Sequence, residues 1–264
     1  MADSPNNYPG VMVGTVISRK TAYILDRFLF NQNEIQKSYP YCFLLMATVE
    51  PDFALEFKEK IIQCNLRGDV IKYDIIKPEY ARASTWAITC GREAIRNYMV
   101  SRTKAEFLLA IDSDMIVDPL VIPILKDEIK ECDVIHSIYK LRYGGTNATG
   151  LGCSLIKRAV LINNKFRCLE FKNGQAIRGE GIFEMHLFEQ KRKARRGYFL
   201  KITHYVNKKK GYTVIPKSLN PIKKLTNLLF IRYLLIKTSI LIHFDIPKAL
   251  QQVIAGKEYR FLKR

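Results

Sequence analysis

Along the first two thirds of the chain, short apolar runs alternate with longer segments in which apolar residues recur every three or four positions. The short runs are typical of buried strands and the longer segments of helices. This alternation predicts an α/β domain with a largely parallel sheet, in which ligands bind beyond the carboxyl ends of the strands. The predicted strands are residues 11–17, 41–49, 70–76, 107–111 and 134–138, and the predicted helices are residues 21–35, 53–64, 85–100 and 119–129.

The pattern changes after Arg142, where glycines interrupt it. A glycine-rich loop precedes a short apolar stretch over residues 153–156. Gly179 and Gly181 then open a predicted helix over residues 182–196, and Gly197 follows in the position of a helix stop. A strand is predicted over residues 198–206.

Charge is distributed unevenly along the chain, whose formal net charge is +18. From Lys191 to the end, 19 Lys or Arg residues face two acids, a net charge of +17 that leaves about +1 for the first 190 residues. We therefore predict a domain over residues 1–206 and a basic, partly apolar, helical extension over residues 207–264. A region this basic can attract an anionic partner.

Cysteine usage and the N-terminus indicate a cytoplasmic protein. The six cysteines occur singly, without a CxxC pair or a Cys/His cluster, which favours reduced thiols. Residues 1–10 lack the basic start and apolar run of a signal peptide. The most apolar stretch, residues 225–244, is interrupted by Arg232 and Lys237, which argues against a membrane span.

The most informative sequence is Phe-Leu-Leu-Ala-Ile-Asp-Ser-Asp-Met over residues 107–115. Two carboxylates, Asp112 and Asp114, flank Ser113 at the exit of a buried strand. Hard divalent cations take oxygen ligands and keep positions for phosphate oxygens and water. Asp-x-Asp alone is common by chance and often caps a helix, so its meaning depends on the apolar strand and the helices around it.

The segment from Gly91 to Pro119 resembles glycosyltransferase family 2, in which an Arg-containing helix leads into a hydrophobic strand ending in Asp-x-Asp-Met. Residues 133–142 resemble the family's strand ending in Tyr-x-x-Arg, and residues 149–158 its glycine-rich strand with a basic pair. Gly179-Glu180-Gly181 resembles its Gly-Glu-Asp segment. The resemblance covers residues 11–206 and implies a GT-A fold, a Rossmann-like mixed and mostly parallel sheet flanked by helices.

The resemblance implies transfer of a sugar from a UDP- or GDP-linked donor to an acceptor hydroxyl. Asp114 would bind Mn²⁺ or Mg²⁺, and Asp112 would contact the ribose or a metal-bound water. His204 falls where many members place a third metal ligand. The cation would stabilise the charge of the departing diphosphate. The predicted donor-binding residues are Thr15, Glu50, Arg92, Arg96, Asp112 and Ser113.

The catalytic base is the point at which the chain departs from the family pattern. Where the family has Glu-Asp, this chain has Glu180 followed by Gly181. Glu180 and Glu184, one helical turn apart on the same face, are the two candidates for a general base. With one base and no second nucleophile in view, the family implies single displacement with inversion.

Other functions stay open at this stage. Haloacid-dehalogenase-type phosphatases also place Asp-x-Asp after a strand, and nucleotidyltransferases share the α/β layout but need a glycine-rich phosphate loop. A weak or inactive domain that binds a partner through its basic C-terminus is the non-enzymatic alternative, with nucleic acid the less favoured partner. The expected acceptor is a glycan, a lipid-linked molecule or a protein. Apolar clusters at residues 228–231 and 234–236 predict peripheral contact with an anionic membrane.

Overall fold

The computed structural model describes residues 10–218 except 142–144, 148–149, 171–175 and 178, together with seven residues between 225 and 236. The strands are β1 (Val11–Val16), β2 (Cys42–Thr48), β3 (Gly68–Lys72), β4 (Phe107–Ile111), β5 (Met115–Val117), β6 (Val134–Ser137), β7 (Tyr139–Lys140), β8 (Thr146–Asn147), β9 (Cys153–Lys157), β10 (Leu169–Glu170), β11 (Ala176–Ile177), β12 (Ala194–Gly197), β13 (Ile202–Tyr205) and β14 (Gly211–Val214). The α-helices are α1 (Leu25–Ser38), α2 (Pro51–Gln63), α3 (Ala83–Arg102), α4 (Val121–Glu128), α5 (Arg158–Asn163) and α6 (Gly179–Glu189).

The main sheet has seven strands in the order β12-β6-β9-β4-β1-β2-β3. Only β9 runs antiparallel to its neighbours, β4 and β6, and the remaining pairs are parallel. The carboxyl ends of β1, β2 and β4 therefore meet at one edge of the sheet. The predicted α/β class, a mixed and mostly parallel sheet, is confirmed.

Both faces of this sheet are buried, because successive side chains of a strand point to opposite faces. In β1, Val11 and Val13 belong to a core that also contains apolar residues of α1, α2 and α4. Met12 belongs to a second core that contains apolar residues of α3, α5 and α6. Helices thus cover both faces, and the chain buries two cores around a single sheet.

A smaller sheet, in the order β14-β13-β5, lies beyond the exit of β4. Its last strand, β14, follows the domain boundary predicted at residue 206 and pairs with β13 before it. Most of the predicted extension, including residues 228 and 237–264, lies outside the described residues. In the part of the chain that is described, no helix combines the length and the apolar character needed to cross a membrane.

The helix predicted over residues 182–196 is wrong in its second half. The helix ends at Glu189, and residues 194–197 form β12, which pairs in parallel with β6. The chain leaves the helix because Lys191 adopts a left-handed conformation, with φ of 54°. Lys191 donates its N–H to the Phe188 carbonyl and Arg192 to the Leu187 carbonyl, the paired hydrogen bonds of a Schellman motif.

Two helix starts also differ from the prediction. The helix predicted from residue 119 begins at Val121, so that Pro123, and not Pro119, occupies its first turn, where no N–H is needed. The helix predicted from residue 21 begins as a 3-10 helix (Arg19–Ile24) that continues into α1. This 3-10 turn lies directly after β1 and so borders the edge at which the strands end.

Replacing Lys191 with Gly should raise the free energy of unfolding by about 1 kcal/mol, because glycine carries no steric penalty at positive φ. The measurement is urea unfolding at an unchanged slope. The matched control is Lys58→Gly in the middle of α2, which should lower stability by a similar amount. A loss of stability in both variants would contradict the left-handed assignment.

Candidate active site

Asp112 and Asp114 lie in a tight turn between β4 and β5. The Asp112 N–H donates to the Gly152 carbonyl at 2.9 Å, and the Met115 N–H donates to the Asp112 carbonyl at 3.0 Å. The turn brings the two carboxylates to the edge at which β1, β2 and β4 end. Asp112 keeps about a third of its side chain exposed, whereas Asp114 is buried.

Gly152 permits this placement of Asp112. A Cβ at residue 152 would lie 2.7 Å from Oδ2 of Asp112 and 2.6 Å from the Tyr139 hydroxyl, closer than such contacts allow. The backbone of β9 and its preceding turn can therefore approach the carboxylate only because this residue has no side chain. The glycine-rich segment over residues 149–158 thus contributes Gly152 to the wall around Asp112.

Arg92, on α3, joins Asp112 to Glu180. Its buried guanidinium donates to Oδ1 of Asp112 at 2.8 Å and to Oε1 of Glu180. Burial acts to lower the pKa of Arg92, but the charges of the two carboxylates and their hydrogen bonds outweigh it and raise that pKa. Glu180 also lies in the first turn of α6, where the helix dipole favours a carboxylate.

His204 reaches Asp114 because β13 pairs with β5. In that antiparallel ladder His204 lies opposite Met115, and the Tyr205 N–H donates to the Asp114 carbonyl at 2.8 Å. Nδ1 of His204 lies 2.7 Å from the Lys140 carbonyl oxygen. A carbonyl can only accept, so Nδ1 carries the proton. Nε2 lies 3.5 Å from Oδ1 of Asp114.

Asp114 and His204 fit a divalent cation as a pair of ligands. A histidine whose Nδ1–H is held by a backbone carbonyl presents Nε2 as the usual metal-binding atom. Two adjacent ligands of an octahedral ion at 2.0–2.1 Å lie about 3 Å apart, close to the spacing of this pair. Among the described residues, no group of three His, Cys, Asp or Glu side chains is arranged to hold a metal. Asp112, the third predicted ligand, faces Arg92 instead.

Three further predicted donor residues lie along the same edge. Thr15 is buried near the end of β1, and Glu50 follows β2, where it accepts the Arg19 N–H at 3.2 Å. Ser113 is buried and donates to the Thr21 hydroxyl at 3.0 Å, which ties the carboxylate turn to the 3-10 helix. Polar residues at or just after the ends of three neighbouring strands thus lie along one edge of the sheet.

Arg96 has other partners. Its guanidinium donates to the Leu161 carbonyl at 2.7 Å and to Glu93 at 2.8 Å, so it joins α3 to α5. This buried arginine supports the packing of the helices and does not contact Asp112.

Glu184 also points away from the carboxylate pair. It is buried, with Oε1 2.8 Å from Nε2 of His136 and Oε2 against the Arg196 guanidinium. Burial alone would raise the pKa of Glu184, but the charges of His136 and Arg196 and their hydrogen bonds lower it. Trp86 packs in the interior with Ala81 and Cys168.

Tyr139 is a site residue for which the sequence analysis made no assignment. Its ring packs edge-on against His204 at a centroid separation of 5.6 Å, and its hydroxyl accepts from the Asn147 amide at 3.0 Å. Burial, and then the charge of Asp112, raises the pKa of Tyr139, which keeps the hydroxyl protonated at neutral pH. The available signal was its place as the first residue of Tyr-x-x-Arg, whose arginine lies outside the described residues.

No protein-family model and no curated protein matches the chain. Solved structures do. S. aureus TarS 1–349 matches at 16% identity with a TM-score of 0.46, covering 78% of this chain and 60% of that one. The same protein in complex with UDP-GlcNAc matches at 12% identity with a TM-score of 0.46. That match covers 81% of this chain and 60% of the other. A third match is mannosyltransferase PcManGT from Pyrobaculum calidifontis in complex with GDP-Man and Mn²⁺, at 10% identity with a TM-score of 0.48. It covers 73% of this chain and 55% of the other. The chain spans no more than 60% of these three structures, and at such identities its function has to be inferred from its own residues.

Replacing Glu184 with Gln should lower the free energy of unfolding by about 3–5 kcal/mol at neutral pH, because it leaves the largely buried Arg196 guanidinium without its counter-charge and takes the carboxylate away from buried His136. Since the folded-state pKa of Glu184 is lowered from 4.5, its contribution is present above pH 4.5 and is lost as the pH falls below it. Urea unfolding of the wild type and the variant between pH 3 and 7 tests both statements. Glu189→Gln, at the exposed end of α6, is the control and should change stability little. Equal stability of Glu184→Gln and wild type would show that the ion pairs contribute nothing.

Proposed function

We propose that this chain is a glycosyltransferase that moves a sugar from a nucleotide-sugar donor to an acceptor hydroxyl, with a divalent cation held by Asp114 and His204. The observation that carries the proposal is the junction of three separate elements at the exit of β4. The carboxylate turn, the His204 strand and the Arg92–Glu180 pair come from distant parts of the sequence. Together they supply a cation site, a donor-facing carboxylate and a base.

The charge of the site supports the need for a cation. Asp112, Asp114 and Glu180 carry three negative charges against the single positive charge of Arg92, so the site has a net charge of −2 with His204 neutral. Arg92 is already engaged by two carboxylates and is poorly placed to neutralise a diphosphate. A donor diphosphate adds about two further charges, and Mg²⁺ or Mn²⁺ bound by a carboxylate and substrate phosphates offsets such charge.

The chemistry assigned to this chain's own residues begins with Glu180. Its ion pair with Arg92 favours the charged carboxylate, which is the form that accepts a proton. Glu180 takes the proton of the acceptor hydroxyl as the acceptor oxygen forms its bond to the anomeric carbon. The bond from that carbon to the diphosphate breaks, and the diphosphate leaves with the electron pair. Attack opposite the leaving group inverts the anomeric configuration.

Nucleotide binding should depend on both the metal and Asp114. UDP or GDP at about a hundredfold above its Kd should stabilise the wild type by about 2.7 kcal/mol in the presence of Mn²⁺. Asp114→Asn should abolish that stabilisation, because one of the two cation ligands is lost. Differential scanning fluorimetry with Mn²⁺ or with excess chelator is the measurement.

Asp127→Asn makes the same exchange on an exposed part of α4 and should respond to the nucleotides as the wild type does. An undiminished response of Asp114→Asn, or of the wild type in chelator, would exclude the cation site. If no nucleotide stabilises the wild type under any condition, the proposed glycosyltransferase activity is wrong and the alternative, an inactive binding module, is favoured.

Turnover should depend on Glu180 far more than donor binding does. Glu180→Gln should lower the release of nucleoside diphosphate from UDP-GlcNAc or GDP-mannose by about 10²–10⁴-fold, the usual contribution of a general base. The nucleotide-induced thermal shift should be retained, which separates a chemical defect from a binding defect. The same assay on Glu189→Gln, at the exposed end of α6, serves as the matched control, and Glu184→Gln is assayed at a temperature at which it remains folded. Loss of turnover only in Glu184→Gln would move the base one helical turn along α6.

Contact with an anionic membrane through residues 207–264 remains a prediction from the sequence. Its apolar clusters fall largely outside the described residues. The proposed cytoplasmic location rests on the single cysteines and the polar N-terminus, and the peripheral membrane contact rests on the basic composition of the C-terminal segment. Liposome flotation of the whole chain and of a truncation after residue 218, which keeps β14 and its pairing with β13, separates this role from catalysis.

A further inference from the structure

The hairpin that carries His204 ends in three consecutive lysines, Lys208, Lys209 and Lys210. The turn is fixed by its backbone: the Val206 N–H donates to the Lys210 carbonyl at 2.8 Å. The Asn207 side chain accepts the N–H groups of Lys209 and Lys210, both at 2.9 Å. All three lysines are exposed, so an ordered backbone presents three positive charges to solvent. We call residues 207–210 the hairpin tip.

The hairpin tip lies beyond the level of Asp114 along β13. Because β13 runs antiparallel to β5, the chain passes from the Val117 level back towards Asp114 and then beyond it. Tyr205, one residue before the turn, also accepts a hydrogen bond from Tyr23 in the 3-10 helix after β1. At about 3.3 Å per residue, the tip lies roughly 7–13 Å along the strand from His204.

Lys210 and Tyr212 occupy the same face of the hairpin as His204. Residues directly opposite in an antiparallel pair share a face, and His204 lies opposite Tyr212. Lys210 is two residues before Tyr212, and its ammonium lies 5.4 Å from the centre of the Tyr212 ring. An aromatic ring and an ammonium group thus lie next to each other on the face of the hairpin that carries His204.

The charge of the hairpin tip is not neutralised within the described residues, where no Asp or Glu forms an ion pair with these three lysines. The residues outside the described ranges contain only three acids, Asp3, Asp245 and Glu258. By contrast, Arg192, Arg195 and Arg196 nearby in sequence each pair with an acid. The three ammonium groups of the tip are therefore available to an external anion.

We propose that the hairpin tip and Tyr212 form an acceptor subsite that selects an anionic carbohydrate, one bearing phosphate or carboxylate groups. This rests on the proposed function and names the acceptor class of the same site. The cation held by Asp114 and His204 would bind the donor diphosphate, so the lysines are available to the acceptor. Lysine ammonium groups bind such oxyanions as point charges, and the Tyr212 ring offers an apolar face to a sugar. A single turn of this size matches a few sugar units, whereas nucleic-acid grooves track a longer backbone.

Binding of two matched probes tests the proposal: fluorescent maltoheptaose and the same oligosaccharide carrying phosphate groups. Fluorescence anisotropy with the whole wild-type chain should show tighter binding of the phosphorylated probe. Lys208→Gln/Lys209→Gln/Lys210→Gln should weaken that binding at least about threefold, since three exposed ion pairs contribute little each. The corresponding Arg triple variant should restore it. Lys72→Gln/Lys104→Gln/Lys193→Gln removes the same charge from other exposed positions and should have a smaller effect.

Equal binding of the neutral and phosphorylated probes, or equal losses in the two Gln variants, would overturn the subsite. So would an oligonucleotide of equal charge that binds as tightly and loses as much in the tip variant, because the surface would then attract any polyanion. The thermal shift with UDP or GDP and Mn²⁺ is measured on the same samples. Its retention in the tip variant shows that the donor site is intact, and its absence in the wild type counts against the enzyme itself.

Discussion

The buried guanidinium of Arg92 is the contact on which the arrangement of the site depends. It joins α3, the turn after β4 and the start of α6 through two carboxylates. Helix α3 can lie this close to the sheet because its residue 91, next to Arg92, is glycine: a Cβ there would lie 2.8 Å from Val16 and 2.9 Å from the Tyr73 ring. Without the guanidinium, two acids would face each other at a partly buried edge, an arrangement that is costly unless one is protonated. Arg92 thus allows the carboxylates of Asp112 and Glu180 to lie at one edge in their charged forms.

The second constraint is the antiparallel pairing of β5 with β13, which brings together residues about ninety positions apart. Local sequence places Asp114 at the exit of β4, but only this ladder sets His204 beside it. The Lys140 carbonyl then fixes the tautomer of the imidazole, and the edge of Tyr139 limits its rotation. Orientation by a hydrogen bond on the far nitrogen is how proteins present histidine to a metal.

How far the sequence predicts this molecule follows from the range of each interaction. The strand over residues 107–111 and the position of Asp112 were predictable, because a short apolar run and its exit are local features. The sequence did not reveal which of Arg92 and Arg96 contacts Asp112. They stand one helical turn apart on one face of α3, and only contacts with Glu93 and the Leu161 carbonyl divert the second one. The end of α6 was hidden for a different reason, since Lys191 takes a left-handed conformation for which glycine is the usual signal.

The hairpin joins the two halves of the proposed chemistry through its register. Side chains alternate along β13, so a slip of one residue against β5 would turn His204 to the opposite face and bring Thr203 or Tyr205 towards the site. β13 takes part in two ladders of the smaller sheet: its pairing with β5 sets His204 beside Asp114, and its pairing with β14 sets the position of the lysines at the hairpin tip. The turn between β13 and β14 is held by Asn207, whose side chain accepts two N–H groups of the lysine run. The proposed cation ligand and the lysine tip are therefore connected through one shared strand.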